Sequence, residues 1–115
     1  MHELSIAKNI IRIAREHLTP DEEPRLKKIC IRIGSFSTIV PEFLQSGFEA
    51  ARDGTPISEA ALEITIVPLQ IRCNNCGYQT EIEPVDFTCP LCSSNDVDVI
   101  AGNEMTVDNL EISEI

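Results

Sequence analysis

The segment CNNCGYQTEIEPVDFTCPLC, residues 73–92, holds four of the chain's five cysteines as two Cys-x-x-Cys pairs, Cys73/Cys76 and Cys89/Cys92, with twelve residues between them. A two-residue gap lets both thiolates of one turn face the same ion, and two such knuckles close a tetrahedron of sulfur at about 2.3 Å around zinc. Four thiolates leave no open coordination position, so the zinc that this spacing predicts on Cys73, Cys76, Cys89 and Cys92 is structural and not catalytic. Gly77 follows the first pair, where a positive φ is often needed for backbone N–H groups to face sulfur. Pro90 stiffens the second knuckle, and Ser93 stands where a glycine would be easier. So few apolar residues lie between Cys73 and Asp98 that this module is expected to need its metal to fold. Redox dithiols and an iron site of rubredoxin type share the spacing and remain open from it. The fifth cysteine, Cys30, lies in an isoleucine-rich run and reads as a small hydrophobe.

On either side of the cysteine segment the periodicity changes. ALEITIV (residues 61–67) precedes it and reads as a strand with Leu62, Ile64 and Ile66 inward, and Pro68 marks where that strand leaves its sheet. EMTVDNLEISEI follows it as a final strand, with Leu110 and Ile112 on one face. Upstream, RLKKICIRIG places Ile29, Ile31 and Ile33 on one face of a strand and Lys28, Cys30 and Arg32 on the other. Leu4, Ala7, Ile11, Ala14 and Leu18 predict a helix over residues 3–18, widened by Ile6 and Ile10. Its acidic Glu3 and its His17 both suit the helix dipole. A second helix starts at Pro41, where a missing N–H costs nothing, and buries Phe43, Leu44, Gly47, Phe48 and Ala51 before Gly54 stops it. The simplest packing is an α/β (α+β) fold in which two helices cover a small three-stranded sheet. A zinc-ribbon-like module is then inserted between the second and third strands. Residues 1–71 with 102–115 form the α/β domain and residues 72–101 the insertion, with Arg72 and Gly102 near its two ends.

The net charge of −10 is unevenly spread: all nine basic residues lie between Lys8 and Arg72, whereas nine of the nineteen acidic residues lie beyond Arg72. A purely acidic C-terminal part repels phosphate backbones, which argues against a zinc-ribbon nucleic-acid adaptor, the main rival reading of the cysteine spacing. Paired cysteines without a disulfide-scaffold pattern point to a reducing compartment. No secretory signal and no apolar stretch of bilayer length is expected, so the chain reads as cytoplasmic, without a membrane or nucleic-acid partner. No nucleophile–base pair or phosphate loop stands out, and no enzyme activity is expected.

The chain begins MHELS and has only two histidines. The amine of Met1, the amide of His2 and its imidazole can close adjacent chelate rings on one ion, with the amide or side chain of Glu3 as a fourth donor. Nitrogen and oxygen donors in one plane suit Ni(II) or Cu(II), and a reducing cytoplasm favours nickel. A solvated histidine beside a helix start is the plainer alternative. On the same helix Lys8, Arg12 and Arg15 recur at i, i+4 and i+7 and form a basic stripe. It reads either as a solvated face or as a docking site for an acidic partner surface.

MHELSIA at the start, IRIGSFSTIVPEFLQSGFE in the middle, CNNCG…CPLC, and GNEM before the last strand resemble the HypA family, in order and over essentially the whole chain. HypA proteins are nickel metallochaperones for maturation of NiFe-hydrogenase and in some organisms serve urease. The resemblance implies an α/β nickel-binding domain with an inserted zinc domain. It implies transient Ni(II) on Met1, His2 and Glu3, and structural Zn(II) on Cys73, Cys76, Cys89 and Cys92. The implied partners are the nucleotide-hydrolysing maturation protein HypB and the hydrogenase large-subunit precursor. In some members a carboxylate near the start of the second helix joins the nickel shell. Here Val40 holds that place and Glu42 lies close in sequence, so the fourth nickel donor stays open.

Overall fold

Nine short elements, the longer ones built on apolar residues at helical and strand spacing, make up the computed structural model, which describes residues 2–83 and 87–114, with His2 described by its backbone alone. In chain order they are α1 (His2–Glu16), a 3-10 turn (Glu23–Arg25), β1 (Leu26–Gly34), α2 (Pro41–Ala51), β2 (Ala61–Val67), β3 (Gln70–Cys73), β4 (Gln79–Glu81), β5 (Val97–Ala101) and β6 (Met105–Ile112). The three long strands form one sheet in the order β2-β1-β6, and β4-β3-β5 form a second. The chain divides into two compact units, Met1–Ile31 with Ile39–Thr65 and Val107–Ile115, and Arg32–Thr38 with Ile66–Thr106.

In the first unit the predicted helical face is the buried one: Ala7, Ile10 and Ala14 of α1 are fully buried, as are Leu44 and Phe48 of α2 and Ile29 of β1. Each large apolar side chain removed from water in this way stabilises the fold by about 1.5–3 kcal/mol. Pro41 opens α2 at its first turn as expected. The close approach of α1 and α2 is made at Gly47, where an added Cβ would sit 3.4 Å from Leu4 Cα. Two expectations of burial are corrected. Phe43 is 63% exposed, because the inward stripe runs through Leu44 and Phe48 at i, i+4 and position 43 lies about 100° around the helix from Leu44. Ile66 is also exposed, whereas Leu62 on the same strand is buried, so the inward face of β2 is covered at its start and not at its end. At the end of the helix Arg15 Nε donates to Glu23 Oε2 at 2.7 Å, so the buried carboxylate of the 3-10 turn has its cation.

The second unit owes its order to short antiparallel pairings that alternation could not reveal at three to five residues per strand. Ile71 of β3 lies opposite Thr80 of β4 and Val99 of β5, and Cys73 lies opposite Val97. Ile71, Leu69, Cys73 and Cys89 are its buried apolar centre, together with Ile33. Two glycines meet back to back. The N–H of Phe36 donates to Gly102 O and that of Gly34 to Glu104 O, both at 2.7 Å. A Cβ on Gly34 would fall 2.0 Å from the Gly102 carbonyl, and Gly102 itself has φ 104°.

Candidate metal centres

β3 delivers Cys73 into a tight turn, and the geometry around it follows from backbone hydrogen bonding. The N–H of Cys73 donates to Tyr78 O at 2.8 Å and that of Gly77 to Cys73 O at 3.0 Å, which closes the first knuckle. Gly77 has φ 78°, the positive value its place demanded. The second knuckle repeats the design: the N–H of Ser93 donates to Cys89 O at 2.8 Å. Ser93 has φ 65°, a positive φ on a residue with a Cβ. That conformation costs a non-glycine residue about 1–2 kcal/mol. Ser93→Gly is therefore expected to raise the stability of the zinc-loaded protein by about 1 kcal/mol, after part of the gain is lost to the freer unfolded chain, and thermal unfolding at fixed zinc content checks it.

The two turns bring the four Sγ atoms within 4.8 Å of one another. Cys73 and Cys92 stand 3.5 Å apart and Cys76 and Cys89 3.7 Å apart. Those separations are far beyond a disulfide bond. They match the edge of about 3.8 Å that a tetrahedron of sulfurs at 2.3 Å from zinc would have. Sulfur also receives N–H donors: Asn75 N and Cys76 N point at Cys73 Sγ at 3.3 and 3.4 Å, and Asn75 Nδ2 at Cys92 Sγ at 3.7 Å. Asn74 fastens the knuckle to the residue just before β5, with its N–H on Asp96 O at 2.9 Å. Such donors spread thiolate charge and orient the ligands.

The thiols are tuned against one another. The Tyr78 backbone N–H draws the Cys76 pKa down, but partial desolvation and hydrogen bonding with Cys92, Cys89 and Cys73 outweigh it and push Cys76 up to about 12. The Ser94 backbone N–H and the Asn75 amide hold Cys92 below its usual value. Several thiolates this close need a cation among them. The cluster fits a structural zinc site, buried at Cys73 and Cys89 and opening to solvent at Cys76. Asn74, Asn75 and Ser94 were not singled out from the sequence; their nearness to the cysteines was the available signal. Cys30 stands apart. Desolvation, then the Glu111 carboxylate beside it, raise its pKa, and its Sγ lies 3.5 Å from Glu111 Oε2.

At the other predicted centre, Met1 and the His2 side chain lie outside the described residues. Glu3 is described: its Oε2 accepts the Val40 N–H at 3.3 Å. Val40 is the N-cap residue of α2, and no side chain of its own caps that helix. The carboxylate of one helix thus sits at the free N–H groups that begin the other, where negative charge is stabilising. Glu42 lies exposed in the first turn of α2. Of the basic stripe, Arg12 is held by Asn9 Oδ1 and Glu16 Oε1, and Arg15 by Glu23.

A small α+β protein carrying a ribbon-like four-cysteine unit of structural character is the class that this fold and this cluster define. Among the described residues no helix is long and apolar enough to cross a membrane. Residues 1–112 match the family model described as "Hydrogenase/urease nickel incorporation, metallochaperone, hypA". Curated relatives named hydrogenase maturation factor HypA include proteins of Desulfatibacillum aliphaticivorans and Desulfosudis oleivorans. Both are 36% identical to 99% of this chain, which covers 88% and 100% of their lengths. Among solved structures, the solution structure of the Ni metallochaperone HypA from Helicobacter pylori aligns with a TM-score of 0.66 at 25% identity over 96% of each chain. A second structure, described as the solution structure of HypA protein, aligns with a TM-score of 0.73 at 26% identity over 98% of this chain and 97% of that one. The chain belongs to the HypA family of nickel metallochaperones and hydrogenase maturation factors.

Proposed function

We propose that this chain carries Ni(II) on its N-terminal residues Met1, His2 and Glu3 and hands it on during maturation of NiFe-hydrogenase, with urease as a second class of client. The observation that supports this reading is the family match, which begins at Met1 and runs through the four cysteines. Cys73, Cys76, Cys89 and Cys92 hold a resident zinc that maintains structure, and the chain acts as a cytoplasmic carrier and not as an enzyme. Its partners in this reading are a HypB-like nucleotide-hydrolysing protein and the hydrogenase large-subunit precursor. The Glu3 carboxylate is engaged by the Val40 N–H, so Glu3 contributes its backbone amide to nickel and its side chain to the cap of α2. An exposed carboxylate at a helix N-terminus is worth about 0.3–1 kcal/mol. Glu3→Ala should therefore lower stability by that amount and leave nickel affinity within a few-fold.

The test is calorimetry of Ni(II) into zinc-loaded protein whose chain begins at Met1, beside His2→Ala and a form with two residues added before Met1. Both altered forms should bind markedly more weakly, since one loses the imidazole and the other turns the terminal amine into an amide. Affinity should also fall below pH 6.5, near the ordinary imidazole pKa, because a ligating histidine must be neutral. Equal affinity in all three forms would remove the N-terminal site. For the basic stripe, Lys8→Glu with Arg12→Glu is the cleaner reversal, because Arg15→Glu would also set a carboxylate against the buried Glu23. If the stripe docks an acidic partner face, the double variant associates more slowly with the HypB-like protein and with less salt dependence.

A further inference from the structure

Among the described residues, the groove where α1 and α2 cross in the first unit is open on its outer side. It measures about 400 Å³ and is walled by Glu3 and Leu4 of α1 and by Phe43, Ser46, Gly47 and Ala50 of α2. Gly47 floors it, because the absent side chain lets the helices approach. Phe43 forms its lip and is the most exposed aromatic ring among the described residues of the first unit, with Val40 also exposed nearby. A volume of this size would suit a small molecule only with several convergent polar groups. Here the Glu3 carboxylate accepts the Val40 N–H and the Ser46 hydroxyl donates to Glu42 O, so both polar side chains of the wall are already engaged. An exposed aromatic at the edge of an apolar trough is instead the usual form of a protein-docking site.

Charge says what kind of partner covers it. Glu42 and Glu49 recur at i and i+7 on α2, Asp53 follows in the turn past its end, and all three are exposed. They make an acidic rail beside Phe43 and Ala50, each of which follows one of these acids by one residue. The sequence of α2, PEFLQSGFEAA, contains no basic residue. Arg52, just past its end, is committed elsewhere: its guanidinium donates to Ala60 O. A helix-in-groove partner must then bring apolar side chains at i, i+3, i+4 and i+7 and lysine or arginine alongside them. We propose that the α1/α2 groove docks an amphipathic helix of a partner protein with an apolar stripe and a basic flank.

The inference goes beyond the nickel reading and is tested without nickel. The probe is a synthetic helical peptide of leucine and lysine in a seven-residue amphipathic pattern, with its leucine/glutamate counterpart, titrated into the zinc-loaded full chain and followed by amide chemical shifts. Saturable shifts at Glu3, Leu4, Phe43, Ser46, Gly47 and Ala50 with the basic peptide, and none with the acidic one, are expected. Phe43→Ser, at an exposed position that should leave the fold intact, should weaken binding at least tenfold. Glu42→Lys with Glu49→Lys should weaken it and flatten its salt dependence. Shifts confined to the acidic C-terminal strand, or an unchanged affinity in Phe43→Ser, would overturn the proposal. So would sedimentation showing a dimer that Phe43→Ser abolishes, which would assign the groove to a second copy. Unaltered Ni(II) binding in Phe43→Ser separates failure here from failure of the nickel reading.

Discussion

Cys89→Ser is expected to abolish tight zinc binding and to unfold the four-cysteine unit while the helices persist. Cys89 is buried within a cluster whose centre is little more than Leu69, Ile71 and the cysteines themselves. With so small an apolar core, metal binding supplies much of the folding free energy. Three thiolates and a hydroxyl cannot replace the fourth sulfur, so the loss of affinity should exceed the ten- to hundredfold that follows from disturbing an outer-shell partner. The first unit keeps its own centre at Ile10, Ile29, Leu44 and Phe48. The two outcomes can be read separately, because Tyr78 is the only tyrosine and there is no tryptophan. The near-ultraviolet tyrosine signal should therefore collapse while the far-ultraviolet helix signal largely remains. One full zinc with an unchanged Tyr78 signal would refute this. In the metal-free wild type Cys76 is pushed up to about 12, so zinc must displace a proton there. Affinity should fall as pH falls, measurable by chelator competition at two pH values with proton release recorded alongside.

Gly34→Ala is expected to cost more than about 3 kcal/mol, above the ordinary range for an added methyl in a packed interior. The new Cβ would meet the Gly102 carbonyl carbon and oxygen at 2.0 Å. Those are backbone atoms, which cannot swing aside as a side chain would. Gly102 is pinned in turn: its own Cβ would fall 2.4 Å from Leu69 Cα, and its O accepts the Phe36 N–H. Denaturant unfolding of the zinc-loaded protein measures the loss. Gly54→Ala is the control. It also has positive φ, at 76°, but nothing lies within 4 Å of its added Cβ, so only the backbone strain of about 1–2 kcal/mol should appear, less the gain from a stiffer unfolded chain.

Local chemistry was legible wherever a residue's neighbours in space are its neighbours in sequence. Cys-x-x-Cys forces two thiols into one turn, and that is why the four-sulfur cluster, the positive φ of Gly77 and the awkwardness of Ser93 could all be read in advance. Helical and strand periodicity marked α1, β1 and β2, because a repeating apolar face must be buried by something. Pro41 announced α2, since a proline spends no hydrogen bond at a first turn. The family itself was recognisable from the ordered motifs at the start, middle and end of the chain.

Tertiary structure decided what depends on distant segments meeting. Phe43 belongs to the same apolar run as Leu44 and Phe48, and only the placement of α1 across Gly47 determines that Phe43 faces outward. The strands β3, β4 and β5 are too short to carry a period, so their sheet exists through pairing, of β3 with the nearby β4 and with the distant β5. Gly34 and Gly102 are unremarkable apart until the fold stacks their backbones. Glu3 reads alone as a helix-dipole carboxylate, yet its partner is the N–H of Val40, at a sequence distance of 37 residues. Sequence by itself determined which residues could ligate and which faces had to be buried, because those follow from bond lengths and from apolar periodicity. Which carboxylate caps which helix, and which aromatic is left in water, followed from close packing of elements remote in the chain, where a single missing side chain sets how near two backbones can come.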